Sequence, residues 1–310
     1  MRLSAIDLGS NSAILLIADV EMGKSPLIID EDMVTTCLGR GVGKNGVITP
    51  KAQGAALSAL TDFSQRMDAN KVEATLALAT GLLTNAGNWL SFSEKIYTKT
   101  GLKVSLISSK QEAELSFLSA TCSLGLSGEV AVLDIGAGTV QLSIGEGSCA
   151  RESISFPLGS LRLTEQFILG APTGDAEIVC LRESIRQELT GNRPAWLAEI
   201  ANIPLIVVGG TAVALSALKL GLDKYDREAI QGTELTTEDI TSAVSRLSAL
   251  SREGRKKLMS FEPGRAPIIL AGVVVLAEFL RHLGKESVQV CWWGLSYGMI
   301  IRLAEILAEE

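Results

Sequence analysis

The chain has 310 residues with 47% apolar and 20% charged side chains, which argues against disorder and makes two domains the expectation for its length. A formal net charge of −7 without an extended Lys/Arg stripe argues against sequence-independent nucleic-acid binding. The cysteines Cys37, Cys122, Cys149, Cys180 and Cys291 form no CxxC pair, and His282 is the only histidine, so a structural zinc site and a disulfide framework are not expected and a reducing, cytoplasmic setting is.

Residues 3–7 and 13–19 are predicted as two strands around a turn. Thr49 has the chemistry of a helix N-cap with Pro50 at the first helical position, and Ala56, Leu60, Phe63 and Met67 then share one face. Strands are predicted at 72–79 and 104–108, with helices at 89–97 and 109–121. A second strand pair follows at 130–134 and 140–144 around a glycine-rich turn, and a third strand at 153–156. Residues 205–208 read as a short apolar strand ending in Gly209-Gly210. Thr236-Thr237-Glu238-Asp239 resembles a capping box opening a helix to about Leu250. The apolar stretch 268–277 falls short of the ~20 residues that span a bilayer and is read as a buried helix, so no membrane partner is expected. Residues 288–293 are a late strand and 295–307 a closing helix. Arg255-Lys256-Lys257 reads as a solvated helix end. Trp292 and Trp293 read as packing residues. Residues 38–46, although glycine-rich, fail the P-loop pattern and read as a turn.

Ala5-Ile6-Asp7-Leu8-Gly9-Ser10-Asn11-Ser12 can be laid on Val132-Leu133-Asp134-Ile135-Gly136-Ala137-Gly138-Thr139, with Asp, Gly and a terminal hydroxyl coinciding between apolar strands. Two similar lobes, each opening with the same hairpin, is the simplest account; two unrelated hairpins sharing turn chemistry is the alternative. The glycine lets backbone amides approach a ligand, successive N–H groups make an anion-binding concavity, and the Asp at the strand end suits magnesium. Ser10 and Ser12 have no histidine partner for a nucleophilic triad and read as phosphate donors.

These two segments resemble the phosphate motifs of the exopolyphosphatase and guanosine pentaphosphate phosphatase family, in the actin/Hsp70/sugar-kinase superfamily. Residues 107–115 sit where that family has Ser-Gly-x-Glu-Glu-Ala, residues 157–165 are similar to its Pro-Leu-Gly-x-x-Arg-Leu-Thr-Glu segment, and Val208-Gly209-Gly210-Thr211-Ala212 to its Gly-Gly-Thr-Ala turn. Gly264-Arg265-Ala266 and Trp293-Gly294-Leu295 follow in the expected order. The resemblance implies an α/β fold of two ribonuclease-H-like (actin-like ATPase) lobes with an interdomain cleft. Residues 1–121 would form the first lobe and 122–310 the second, with the helix at about 295–310 packing back onto the first.

The resemblance also implies magnesium-assisted release of a terminal phosphate from inorganic polyphosphate or guanosine pentaphosphate. Phosphate would be held by Gly9, Ser10, Asn11, Ser12, Gly136, Ala137, Gly138 and Thr139, and magnesium by Asp7 and Asp134. Glu112 would be the general base, its bland alternative being a solvated helix glutamate. Arg162 and Arg265 are read either as phosphate contacts or as surface or capping arginines. Thr84 stands where the family has an arginine, Gln111 and Gln141 where it has glutamates, Pro267 where it has an Asp and Ser296 where Arg is common. These departures remove charge and favour a weakly active or inactive binder of polyphosphate or phosphorylated guanosine nucleotides. A kinase-like phosphotransferase is a third reading. A homodimer is the base-rate expectation.

Overall fold

A computed structural model of the chain describes residues 1–21, 23–126, 128–191 and 194–309. In chain order the first half runs β1 (Arg2–Leu8), β2 (Ser12–Asp19), β3 (Leu27–Thr35), α1 (Val42–Asn45), α2 (Pro50–Ala69), β4 (Ala74–Ala79), α3 (Trp89–Thr100), β5 (Ser105–Leu106) and α4 (Ser109–Leu124). The second half runs β6 (Glu129–Ile135), β7 (Val140–Glu146), β8 (Cys149–Phe156), α5 (Ser160–Phe167), α6 (Asp175–Gly191), β9 (Leu205–Val208), α7 (Gly210–Leu220), α8 (Arg227–Ile230), β10 (Glu234–Thr236), α9 (Thr237–Ala249), α10 (Arg252–Leu258), α11 (Ile269–Leu283), β11 (Ser287–Val290) and α12 (Leu295–Glu309). These elements form two compact units, Met1–Ser123 with Trp293–Glu310, and Leu124–Trp292.

The repeat seen in the sequence is a repeat of topology. The sheet of the first unit has the order β3-β2-β1-β4-β5, and that of the second reads β8-β7-β6-β9-β11 with β10 added at the edge. In each, the first strand pairs antiparallel with the second and parallel with the fourth. Asp7 lies opposite Ile14 and Asp134 opposite Gln141, the same spacing along each hairpin. Both units even carry a register irregularity at the same place, between Ile17 and Ala18 and between Ile144 and Gly145. Unrelated hairpins would not share strand order, direction and irregularity together.

The helices form where the sequence signals them. The Thr49 side chain accepts from the Ala52 amide with Pro50 in the first turn, and Thr236 and Asp239 make both bonds of the expected capping box. Ala56, Leu60, Phe63 and Met67 are all buried, each large side chain contributing roughly 1.5–3 kcal/mol to folding. In the first unit α12 packs on β1, β2 and β4. In the second, the apolar stretch beginning at Ile268 becomes α11, which packs against α5, α6, α7 and α9, with Phe279 edge-on to Phe156 at 5.4 Å. Among the described residues no helix is long and apolar enough to cross a membrane.

The structure departs from the sequence reading in two instructive places. Strand β3, carrying Asp30, Glu31 and Asp32, has no counterpart among the predicted strands. Asp30 and Asp32 are neutralised by Arg66 of α2, whose Nε donates to Asp30 at 2.8 Å. Arg255 is not solvated with Lys256 and Lys257: it is buried, donating to the Leu247 carbonyl at 2.7 Å and the Thr173 hydroxyl at 2.6 Å, and burial pushes its guanidinium pKa down. A run of like charges does not distinguish the one residue whose helical phase turns it inward.

Glu278 of α11 is 1% exposed and is ringed by Arg182, Arg186 and Arg281. Burial alone would raise its pKa, but bonds from Arg186 and Arg281 hold it below the usual carboxylate range. A lowered folded pKa stabilises the protein above the unfolded value of about 4.3, and that stability is lost as pH falls through the folded value. Glu278→Gln is therefore expected to lower stability at neutral pH and to flatten its loss on acidification, as read from urea midpoints between about pH 7 and 3.

Candidate functional site

Each unit gathers its candidate residues at the carboxyl ends of its parallel strands, where open α/β sheets bind ligands. In the first unit the 9–12 turn follows β1, the 81–85 turn follows β4, and α4 with Glu112 follows β5. In the second the 136–139 turn follows β6 and Gly209-Gly210 follows β9.

The two hairpin turns close in the same way, the Gly9 amide donating to the Ser12 carbonyl at 2.9 Å and the Gly136 amide to the Thr139 carbonyl at 3.1 Å. What fixes the direction of their other peptides is a neighbour on the carbonyl side. In the second turn the Gly136 carbonyl accepts from the Ser160 amide at 3.0 Å, and the Ala137 carbonyl from the Leu161 amide at 2.9 Å and the Arg162 amide at 3.3 Å. In a trans peptide N–H and C=O point oppositely. The Ala137 and Gly138 amides therefore both point away from α5, as a pair. In the first turn the Ser10 carbonyl accepts from Gly39 at 2.7 Å, and the Asn11 carbonyl from Thr36 at 3.0 Å and Cys37 at 2.9 Å. The Asn11 and Ser12 amides are thereby turned away from residues 36–39. Two parallel amide dipoles at a strand end are the elements of an anion-binding nest.

The side chains have more varied duties than the motif suggests. Ser10 is buried, and its hydroxyl accepts from the Leu82 amide at 2.9 Å, so it locks the 81–85 turn while keeping its own proton to donate. A Cβ on Gly39 would lie 2.6 Å from the Ser10 Cβ, and one on Gly81 2.7 Å from its hydroxyl, so both glycines are required by this contact. Asn11 donates to the Ser12 hydroxyl at 3.1 Å. Gln141 donates to the Thr139 hydroxyl at 3.0 Å, which leaves that hydroxyl its own proton to donate. Asp134 is crowded by the glycine turn: a Cβ on Gly209, whose φ is +93°, would come within 3.0 Å of its Oδ1.

Glu112 is 8% exposed in the first turn of α4, not a solvated glutamate. Gln111 beside it is a capping residue. Its Oε1 accepts from the Ser108 amide at 3.0 Å, and its own amide donates to the Ser108 hydroxyl at 3.3 Å. Glutamine serves in a capping box as well as glutamate does, so this departure costs the helix nothing. Thr84 is bonded to the Gly81 carbonyl at 2.8 Å in the turn it occupies.

The arginines part company. Arg162 lies in the first turn of α5, tied by its amide to Ala137, and its Nε is buried with no hydrogen-bond partner among the described residues. Arg265 is buried and neutralised: its Nε donates to Glu262 at 2.7 Å, and the Tyr225 hydroxyl donates to the same carboxylate oxygen at 2.5 Å. Burial, and then the charge of Glu262, push the Tyr225 pKa well above the ordinary phenol range. The Arg265 guanidinium lies against Gly210, where a Cβ would be 2.0 Å from Nη2 and 2.2 Å from Cζ. It props the Gly209-Gly210 turn; the sequence offered surface or phosphate roles and not this one.

Sequence reasoning missed Gly39, set aside with the failed P-loop, and met Gly159 only as a position of the 157–165 segment, without a role; its backbone lies flush on the second turn, and that close approach is tertiary.

The chain matches the model of the Ppx/GppA phosphatase family over residues 16–306. It is 27% identical over 303 residues to "Exopolyphosphatase 1" of Mycobacterium leprae (97% of this chain, 89% of that protein). It is 30% identical over 295 residues to "Exopolyphosphatase 2" of Mycobacterium tuberculosis (92% of each). The crystal structure of the Aquifex aeolicus member of the Ppx/GppA family superposes with a TM-score of 0.82 at 31% identity, covering 100% of this chain and 99% of that one.

Proposed function

Because this chain belongs to the Ppx/GppA phosphatase family, with two actin-like α/β sheets, we propose that it is a hydrolase releasing terminal phosphate from inorganic polyphosphate, guanosine pentaphosphate being a second substrate. The observation that carries this reading is that each unit has a turn whose carbonyls are bonded behind it, so that Asn11 and Ser12 in the first, and Ala137 and Gly138 in the second, each offer a pair of amides to an oxyanion. The Thr139 hydroxyl, oriented by Gln141, adds a donor. Arg162, with a buried unpartnered Nε beside the second turn, adds charge suited to phosphate.

Magnesium prefers one or two carboxylates plus substrate phosphates over an all-protein cage, and Asp7 and Asp134, each at the end of its strand, fit that requirement. When bound with the phosphate chain it would supply charge neutralisation of the phosphate oxygens. The remaining steps belong to the protein. Glu112 accepts a proton from water as the water oxygen bonds to the terminal phosphorus. The P–O bond to the bridging oxygen breaks, and its electron pair leaves with the shortened chain. Catalysis is mainly placement and charge stabilisation.

The test is phosphate release from long-chain polyphosphate and from guanosine pentaphosphate by the parent and by Glu112→Gln. Loss of at least about 10²-fold in kcat is expected for the variant. No release by the parent rejects the hydrolase reading, and equal release by both rejects Glu112 as the base. The amide at Gln141, a poorer ligand for a hard cation than a carboxylate, favours as second reading a phosphate-chain binder without turnover. Calorimetric binding of polyphosphate without release would establish that one instead.

A further inference from the structure

The last helix of the chain touches the helix that carries Glu112, and it does so backbone to backbone. Gly298 of α12 is buried, and a Cβ built on it would lie 2.1 Å from the Leu115 carbonyl oxygen, 2.8 Å from its carbon and 3.2 Å from its Cα. No side chain is available there to swing aside: a methyl group at 298 can be housed only by moving α4 and α12 apart. Gly298 thus sets the spacing of the two helices one turn from Glu112. Leu115 is three residues beyond Glu112, on the same helical face. Glu112 is itself buried, in the first turn, where the Ser108–Gln111 capping box fixes the start of the helix. The carboxylate thus stands on a helix fixed lengthwise at its cap and sideways by a glycine from the far end of the sequence.

We infer that Gly298 is a positioning residue for Glu112, and that residues 293–310 belong to the catalytic apparatus through this contact. The inference rests on the assignment of Glu112 as general base. A general base works only within hydrogen-bond reach of its proton, and a misplacement of about 1 Å by a distant substitution is enough to cost about 10²-fold in rate. Relieving a 2.1 Å approach demands a shift of about that size. Binding of the phosphate chain, assigned to the hairpin turns, should be untouched.

The experiment is a double-mutant cycle on phosphate release from long-chain polyphosphate, with Gly298→Ala, Glu112→Gln and the pair together. Gly298→Ala is expected to lower kcat about 10²-fold with KM unchanged. Glu112→Gln should then cost far less in the Gly298→Ala background than in the parent, because the base is already out of place. A helix made merely less stable would leave the cost of Glu112→Gln undiminished, and that result, or an unchanged kcat in Gly298→Ala, overturns the inference while Glu112 keeps its role. If Glu112→Gln matches the parent, the assignment of the base falls and this inference with it. Should Gly298→Ala not fold, Glu112→Asp tests the premise on which the inference stands, that the rate depends on the carboxylate's placement, by withdrawing it one methylene. A kcat loss with KM kept supports dependence on position, and full activity overturns it.

Discussion

Gly159→Val is expected to reduce phosphate release by at least about 10⁴-fold and to weaken binding of the phosphate chain with it. A Cβ at residue 159 would sit 2.2 Å from the Gly138 carbonyl carbon, 2.3 Å from the Ala137 oxygen and 2.4 Å from the Ala137 carbon. All three atoms are backbone of the second turn, so the added group has nowhere to go except by driving α5 and the turn apart. The hydrogen bonds from Leu161 and Arg162 to the Ala137 carbonyl would open, and with them the constraint that aims the Ala137 and Gly138 amides. One displaced oxyanion donor costs about 10²–10³ in kcat, and here two move together. Overpacking should add a stability loss of about 1–3 kcal/mol, small enough for a folded variant to be assayed. Phosphate release and calorimetric affinity for polyphosphate, measured on the same preparation, check this. A variant that keeps either one would show that the second turn does not hold the phosphate.

Glu262→Ala should be the most destabilising of the single substitutions considered, by about 3–5 kcal/mol. Its side chain and that of Arg265 are 6% and 9% exposed, so removing the carboxylate strands a buried guanidinium against Gly210. The Tyr225 hydroxyl loses its acceptor in the same stroke. The pair is costly to break but not costly to replace: the double substitution Glu262→Leu, Arg265→Met is expected to recover most of the loss, since well-packed apolar groups avoid the desolvation of both charges. Urea midpoints with an unchanged slope would register both effects. A Glu262→Ala variant within about 1 kcal/mol of the parent would mean that the guanidinium reaches water, contrary to its burial.

Much of the framework was legible because it depends on local chemistry. The Asp-Gly hairpins, the Thr49 cap, the Thr236 capping box and the inward face of α2 follow from residue type and spacing alone, and their repeat announced two similar sheets. What stayed hidden is what depends on a distant partner. Asp30 and Asp32 belong to a strand because Arg66, more than thirty residues away, neutralises them. Ser10 accepts from the Leu82 amide, a bond to the 81–85 turn that the hairpin containing Ser10 does not announce. Gln111, which looked like a lost charge, is half of a capping box once Ser108 is seen as its partner. Arg265 matched a motif position, but its partner Glu262, three residues earlier, turns it from an anion receptor into a prop.

The path of the chain imposes an order on its own synthesis. Strands β1, β2 and β4 leave the ribosome early, yet the helix that covers them is α12, the last described element. Until it arrives, apolar side chains such as Leu3, Leu16 and Leu78 have no lid, whereas the intervening unit is continuous in sequence and can close as soon as it emerges. The first half to be made is thus the last half to mature, and it must be kept from self-association for the time needed to translate the other.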